Sequence, residues 1–197
     1  MARPNQSKER RRELIPVIAR TFAQLGYRRT TTAELAERCG VRENILYRLW
    51  PDKKAMFIAA LDYVYELSVQ TWDELLAEGN GQTSAARRLL DYESEHHGEF
   101  GLYRIVFAGL SETDDADVRA ALAGMYRRYH RFIRRQIDAH RVRWGGQDAP
   151  EAVLAAWAVI GLGTVADIGR ELGLLGGRRR RRLLADVGRT LLGDEES

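Results

Sequence analysis

The sequence predicts an all-α protein, and three observations carry that expectation. Apolar residues recur at helical spacing through most of the 197 residues, as in Ile15, Ile18, Phe22 and Leu25. No convincing run of alternating strand residues interrupts them. Residues 31–50, TTAELAERCGVRENILYRLW, read as two short helices about a turn. In that reading Leu35, Cys39, Val41, Leu46 and Leu49 point inward, and small Ala36 sits where the helices nearly touch.

The elements follow in order. Residues 1–6 read as a disordered arm, with Ser7 as the N-cap of a first helix that starts KERRRE. Pro16 removes one backbone hydrogen bond, so a kink or a helix start is expected there. Gly26 ends this helix, whose apolar face covers the two-helix motif. Thr31 and Glu34 have capping-box spacing, and Gly40 falls where the chain must reverse. After Trp50, Pro51 cannot continue a helix, and Asp52 is a good N-cap for a long helix from Lys53 to about Ala77. Its stripe is Met56, Phe57, Ala60, Leu61, Val64, Leu67, Trp72 and Leu75. Beyond a loop at 79–84, helices are expected at about 85–97, 99–110, 114–143, 149–172 and 178–192.

The net charge of +3 conceals an asymmetry. Residues 1–54 carry 13 Lys+Arg against 6 Asp+Glu, or +7, whereas residues 55–197 carry 18 against 22, or −4. A basic module on a mildly acidic body implies a polyanionic partner for the first part alone. Arg10, Arg11 and Arg12 fit either phosphate contact or a solvated face. The single cysteine, Cys39, permits no intramolecular disulfide and no cysteine zinc cage. No secretory signal opens the chain, and the longest uncharged apolar run, 152–166, is short for a membrane span and contains Gly161 and Gly163. A cytoplasmic protein with no membrane partner is therefore expected.

Enzymatic motifs are missing: there is no G-x-S-x-G, P-loop or HExxH, and no nucleophile and base at interpretable spacing. Neither catalysis nor a cofactor is expected. Gly161-x-Gly163-x-x-Ala166 matches a dinucleotide-binding string, but it lies inside a helical pattern, where close packing through small residues explains it better. Glu93, His96 and His97 suggest metal ligands without a further ligand to complete a site. Arg178 to Arg182 sit at the start of the last helix, and a solvated or acid-paired face is expected there, with Asp186, Asp194, Glu195 and Glu196 nearby in sequence.

The second helix of the motif presents Arg42, Glu43, Asn44, Tyr47 and Arg48, all capable of bonding a base edge or a phosphate. Residues 10–57 resemble the DNA-binding domain of TetR-family transcriptional regulators. The resemblance runs through Phe22, Gly26-Tyr27, Thr30-Thr31, Leu35-Ala36, Gly40-Val41, Leu46-Tyr47 and Trp50-Pro51-x-Lys53. It implies double-stranded DNA as partner, with phosphate contacts from Thr31, Tyr47 and Lys53 and groove contacts from Arg42, Glu43, Asn44 and Arg48. Arg28 and Arg29 are further phosphate candidates. Arg42 stands where the family commonly has a small capping residue, and Asn44 where it commonly has glycine, so an unusual base preference is expected.

The remaining chain resembles the family in length and helical pattern only. That implies a helix-turn-helix domain over 1–54 and a helical effector-binding and dimerisation domain over 55–197, joined by the long helix. Trp72, Tyr103, Phe107 and Tyr126 are the candidate walls of a site for a small-molecule effector. Leu154, Trp157, Ile160, Gly161, Thr164, Leu183, Leu184, Val187 and Leu191 are the candidate homodimer face. The expected function is a ligand-responsive regulator, a repressor that binds a pseudo-palindromic operator as a homodimer and is released by a small molecule. The alternatives are a helical ligand carrier or enzyme with an incidental basic module, and a nonspecific nucleic-acid-binding protein.

Overall fold

The computed structural model describes residues 3–77, 81–146 and 149–193. Among these every regular element is helical. In order they are α1 (Arg3–Leu25), α2 (Thr32–Arg38), α3 (Glu43–Leu49), α4 (Lys53–Ala77), α5 (Ala85–His96), α6 (Arg104–Leu110), α7 (Ala116–Trp144), α8 (Ala152–Glu171), α9 (Gly177–Arg182), a π-helical turn (Leu183–Val187) and α10 (Gly188–Leu192). They form two compact units, residues 1–68 with 100–125, and residues 69–99 with 126–197.

In the first unit, Leu14, Ile15, Ile18, Ala19 and Phe22 of α1 are buried with Leu35, Leu46, Leu49, Met56 and Phe57. The Phe22 and Phe57 rings meet edge to face at 5.0 Å, and Tyr27 lies 4.9 Å from Phe57. α1 starts earlier than expected, at Arg3, so Ser7 lies inside the helix and is not its cap. Nothing between Arg3 and Pro16 breaks a helix, and Pro4 falls in the first turn, where a missing N–H costs nothing. Met1 and Ala2 of the expected arm lie outside the described residues. The same helix runs through Pro16, which is therefore not a helix start.

Two further expectations shift. Cys39 and Val41 are half-buried rather than fully inward, because both belong to the turn and not to a helix face. The helix expected at 99–110 begins only at Arg104, since Gly98 and Gly101 both hold positive φ, at 68° and 66°, and separate it from α5.

The second unit packs Ala86, Ile137, Ala152, Ala155, Ala156 and Leu192 into a cluster that Leu90 and Ile133 extend. Small residues on α8 and α10 let side chains approach closely. A Cβ on Gly169 would stand 2.6 Å from Leu175 Cδ1, and one on Gly188 would stand 2.3 Å from Leu90 Cδ1. The loop expected at 79–84 ends on Ser84, which caps α5 by accepting the Arg87 N–H at 3.0 Å. Residues 79 and 80 lie outside the described residues, as do Asp194, Glu195 and Glu196. α8, at 20 residues, is long and apolar enough to cross a membrane by length and composition, which the shorter run 152–166 did not suggest.

Gly188→Ala should destabilise the fold by about 1–3 kcal/mol through overpacking against Leu90. Gly124→Ala, in α7, meets nothing within 4 Å and should stabilise it by about 0.5–1 kcal/mol. Thermal melts of the two variants test this contrast, and equal shifts would count against the packing described.

Candidate nucleic-acid interface

The turn between α2 and α3 is closed by backbone geometry alone. Gly40 holds φ at +64°, Val41 donates to Ala36 at 3.0 Å, and Gly40 donates to Glu37 at 3.0 Å. That pair of bonds is a Schellman motif, which needs a residue free of Cβ strain at position 40. At the other end of α2, Thr31 Oγ1 accepts the Glu34 N–H at 3.1 Å. The Glu34 carboxylate instead receives Arg38 at 2.6 Å, so only one half of the expected capping box is made.

α3 is seven residues long and begins without help from a side chain. Its N-cap, Arg42, makes no cap hydrogen bond, as the missing serine or threonine implies. A helix this short has little intrinsic stability. It is held instead from behind and from both ends. Leu46 and Leu49 are buried. Tyr47 donates its hydroxyl to Thr32 Oγ1 at 3.1 Å, tying α3 to the start of α2. The Arg11 guanidinium donates to the Leu49 carbonyl and lies 5.8 Å over the Trp50 ring. Arg11 thus covers a C-terminal carbonyl of α3, where a cation also suits the helix dipole.

The basic residues separate into committed and uncommitted groups. Arg10 pairs with Glu13 at 2.6 Å, and Arg38 also donates to Gln24 at 2.7 Å. Arg28, a phosphate candidate, is bonded to Glu112 at 2.8 Å. Lys54 bridges Asp115 at 3.1 Å and Asp117 at 2.6 Å, and those hydrogen bonds raise its pKa. Lys53 donates to the carbonyls of Tyr27 and Thr30, each at 3.0 Å, and stands 4.4 Å from the Tyr27 ring. Two of its three N–H groups thus tie α4 to the segment before the motif. By contrast Arg42, Asn44, Tyr47 and Arg48 are exposed, and Glu43 is half-buried beside them. Arg42 and Arg48 carry no ion pair with any described residue. Arg42 is the N-cap of, and the other four lie on, one short helix, whose width fits a major groove.

Arg11, read from sequence as a phosphate contact or a solvated cation, instead holds the end of α3. Its signal was present, since Arg11 precedes Ile15, Ile18 and Phe22 on the same helix face.

The four candidate effector residues are not brought together in one unit. Tyr103 and Phe107 meet at 6.1 Å in the first unit. In the second, Trp72 stacks on Phe132 at 4.9 Å and donates its indole N–H to Glu93 at 2.7 Å. The half-buried Tyr126 pairs its hydroxyl with Thr164, and burial raises its pKa. Glu93 and His97, considered above as metal ligands, form an ion pair at 2.8 Å. His97 reaches Asp167 at 3.3 Å on its other nitrogen. No group of three metal ligands occurs among the described residues. Gly163 faces the His97 ring, where a Cβ would stand 2.9 Å from Cε1, so half of the dinucleotide string is explained by close approach. Gly161 is exposed with nothing near it.

Burial disfavours a charged His97, but its hydrogen bonds to Asp167 and Glu93, and their charges, prevail and raise its pKa to about 10. Because the folded pKa lies above the unfolded value of about 6.5, the stabilisation is complete below that value and is lost as pH rises through about 10. Denaturant unfolding between pH 7 and 10 should therefore show falling stability, and His97→Gln should flatten the slope.

Residues 14–60 match the model of bacterial regulatory proteins of the tetR family. Nucleoid occlusion factor SlmA of Pasteurella multocida is 28% identical over 161 residues, covering 77% of this chain and 78% of that protein. A TetR-family transcriptional regulator from Cytophaga hutchinsonii superposes with a TM-score of 0.78 at 16% identity, covering 95% of this chain and 96% of that one. A transcriptional regulator from Saccharomonospora viridis, solved in complex with choline, superposes with a TM-score of 0.71 at 21% identity, covering 91% and 95%. With residues 14–60 matched in sequence and its all-helical fold matched across nearly the whole chain, this protein carries the DNA-binding domain of tetR-family regulatory proteins within a fold that it shares with TetR-family transcriptional regulators.

Proposed function

We propose that the chain is a ligand-responsive repressor that binds a pseudo-palindromic operator as a homodimer and is released by a small molecule. The observation that carries the DNA-binding part is the exposed, uncommitted face of α3 beside a turn and clamps that hold it rigidly. Arg42 and Arg48 read guanine through O6 and N7, Asn44 reads adenine, and Glu43 accepts from cytosine. Thr31, Tyr47 and Lys53 contact phosphate. On this reading residues 1–54 bind DNA, and residues 55–197 bind effector and dimerise.

A homodimer is supported by α8. Leu154, Ala158, Gly161, Val165, Ile168 and Leu172 are all exposed and follow alternating spacings of four and three, which is the seam of two helices packed together. Leu184, expected in this face, is buried within its own unit, so the apolar surface belongs to α8 with Trp157 and Val187. An exposed apolar stripe of this length favours a second copy over solvent. Acting on chromosomal DNA places the protein in the cytoplasm, without a membrane partner. A small organic effector is supported by the aromatic second unit and by the structural neighbour from Saccharomonospora viridis that was solved in complex with choline. Effector binding shifts α4 and changes the spacing of the two recognition helices, to the extent that the ligand prefers one spacing.

Selection of bound sequences from a random DNA pool should recover a palindrome with half-sites one helical turn, about 34–36 Å, or a multiple apart. Recovery of none would sink the dimeric operator. Arg42→Ala or Arg48→Ala should cost about 1–3 kcal/mol at one G·C pair and relax preference there. Arg11→Ala, which loosens α3 as a whole, should weaken all sequences together. Val165→Glu should convert the dimer to monomers in analytical ultracentrifugation while leaving the helical content unchanged.

A further inference from the structure

Asp167 is an acid in the most apolar helix of the chain, and its side chain is only 8% exposed. Oδ2 pairs with His97, while Oδ1 is buried and accepts no hydrogen bond from the described residues. A buried carboxylate oxygen without a donor is unfavourable, and in native proteins such an atom calls for a missing partner. His97 does not supply it. Its Nε2 is shared between Asp167 and the Gly163 carbonyl, and its Nδ1 donates to Glu93. With His97 protonated the three side chains together carry one net negative charge, and the neighbouring Arg170 guanidinium is directed at the His97 and Gly98 carbonyls.

The surroundings narrow the partner. Glu93 holds the Trp72 indole, and Trp72 in turn meets Phe132 and Tyr129. Tyr126 pairs with Thr164, one helical turn before Asp167, and senses the Asp167 charge. An excess negative charge, an open acceptor and aromatic rings suit a cation that carries its own hydrogen-bond donor. A bare metal ion is disfavoured, because the described residues offer no three-ligand group. An anion would be repelled.

We propose that the chain of Glu93, His97 and Asp167 is the recognition point for an organic ligand bearing a protonated primary or secondary amine, whose N–H donates to Asp167 Oδ1. The ligand's carbon skeleton lies along Trp72 and Tyr126. This deepens the effector reading above and rests on it. Asp167 itself escaped the sequence analysis, although a lone acid following an uncharged apolar run was the visible signal.

Isothermal titration of the full chain with 2-phenylethylammonium, the neutral 2-phenylethanol and the anionic phenylacetate tests the proposal. The ammonium should bind at least about tenfold more tightly than either, and Asp167→Asn should lower its affinity by about tenfold to a hundredfold. Asp138→Asn, an exposed acid on α7, should not. If Asp167→Asn does not fold, Glu93→Gln carries the test, with a severalfold loss expected. Undetectable ammonium binding, preference for the alcohol, or unchanged affinity in the folded Asp167 variant would each overturn the proposal, the last pointing to a buried water on Oδ1. Operator release measured in parallel separates the two readings. Release by a neutral compound independent of Asp167 sustains the effector and removes this site, whereas Asp167-dependent ammonium binding without release sustains the site and removes the effector role.

Discussion

A seven-residue helix without a side-chain cap would not persist on its own, and everything proposed for the DNA-facing surface depends on how α3 is held. Its apolar side is fixed by Leu46 and Leu49, its start by the Schellman turn at Gly40, and its end by Arg11 on the Leu49 carbonyl. Because these restraints come from α1, α2 and the turn, the outer face is left without structural duties. On the proposed reading, Arg42, Asn44 and Arg48 can therefore change with operator sequence while the scaffold stays constant. Tyr47 is the exception, since its hydroxyl is bonded to Thr32 as well as being exposed.

The same division between holding and reading clarifies Lys53. It lies in the first turn of α4, where a cation opposes the helix dipole, yet its ammonium accommodates two carbonyls and an aromatic face. Those acceptors tie the long helix to the segment 27–30 that precedes the motif. A movement of α4 would then be transmitted to α2 through a charged, directional joint rather than through apolar contact, which slides more readily.

How much of this was legible in the sequence depends on the range of the interaction. The caps at Thr31 and Asp52, the glycine turns at 26 and 40, and the uncapped start of α3 are local, and the residues announced them. The start of α6 was misjudged because Gly98 and Gly101 stood within an otherwise helical composition, and neither alone demands a break. What stayed hidden was tertiary. Arg11 meets a carbonyl 38 positions away, and His97 meets one 66 positions away. Whether a charged side chain is solvated, bonded or buried is decided by which backbone comes near it, and spacing along the chain carries no record of that.

The acidic stretch from the end of α6 into the first turn of α7 has a thermodynamic consequence. Glu112, Asp115 and Asp117 belong to the same compact unit as the helix-turn-helix and hold Arg28 and Lys54. Cations already neutralised by the protein attract no condensed counterions away from DNA when the complex forms. The salt dependence of binding, which counts phosphates newly neutralised, will thus be shallower than the +7 charge of residues 1–54 implies. Affinity would then rest more on α3 and less on ionic atmosphere, and discrimination between sequences would survive changes in ionic strength that erode nonspecific binding.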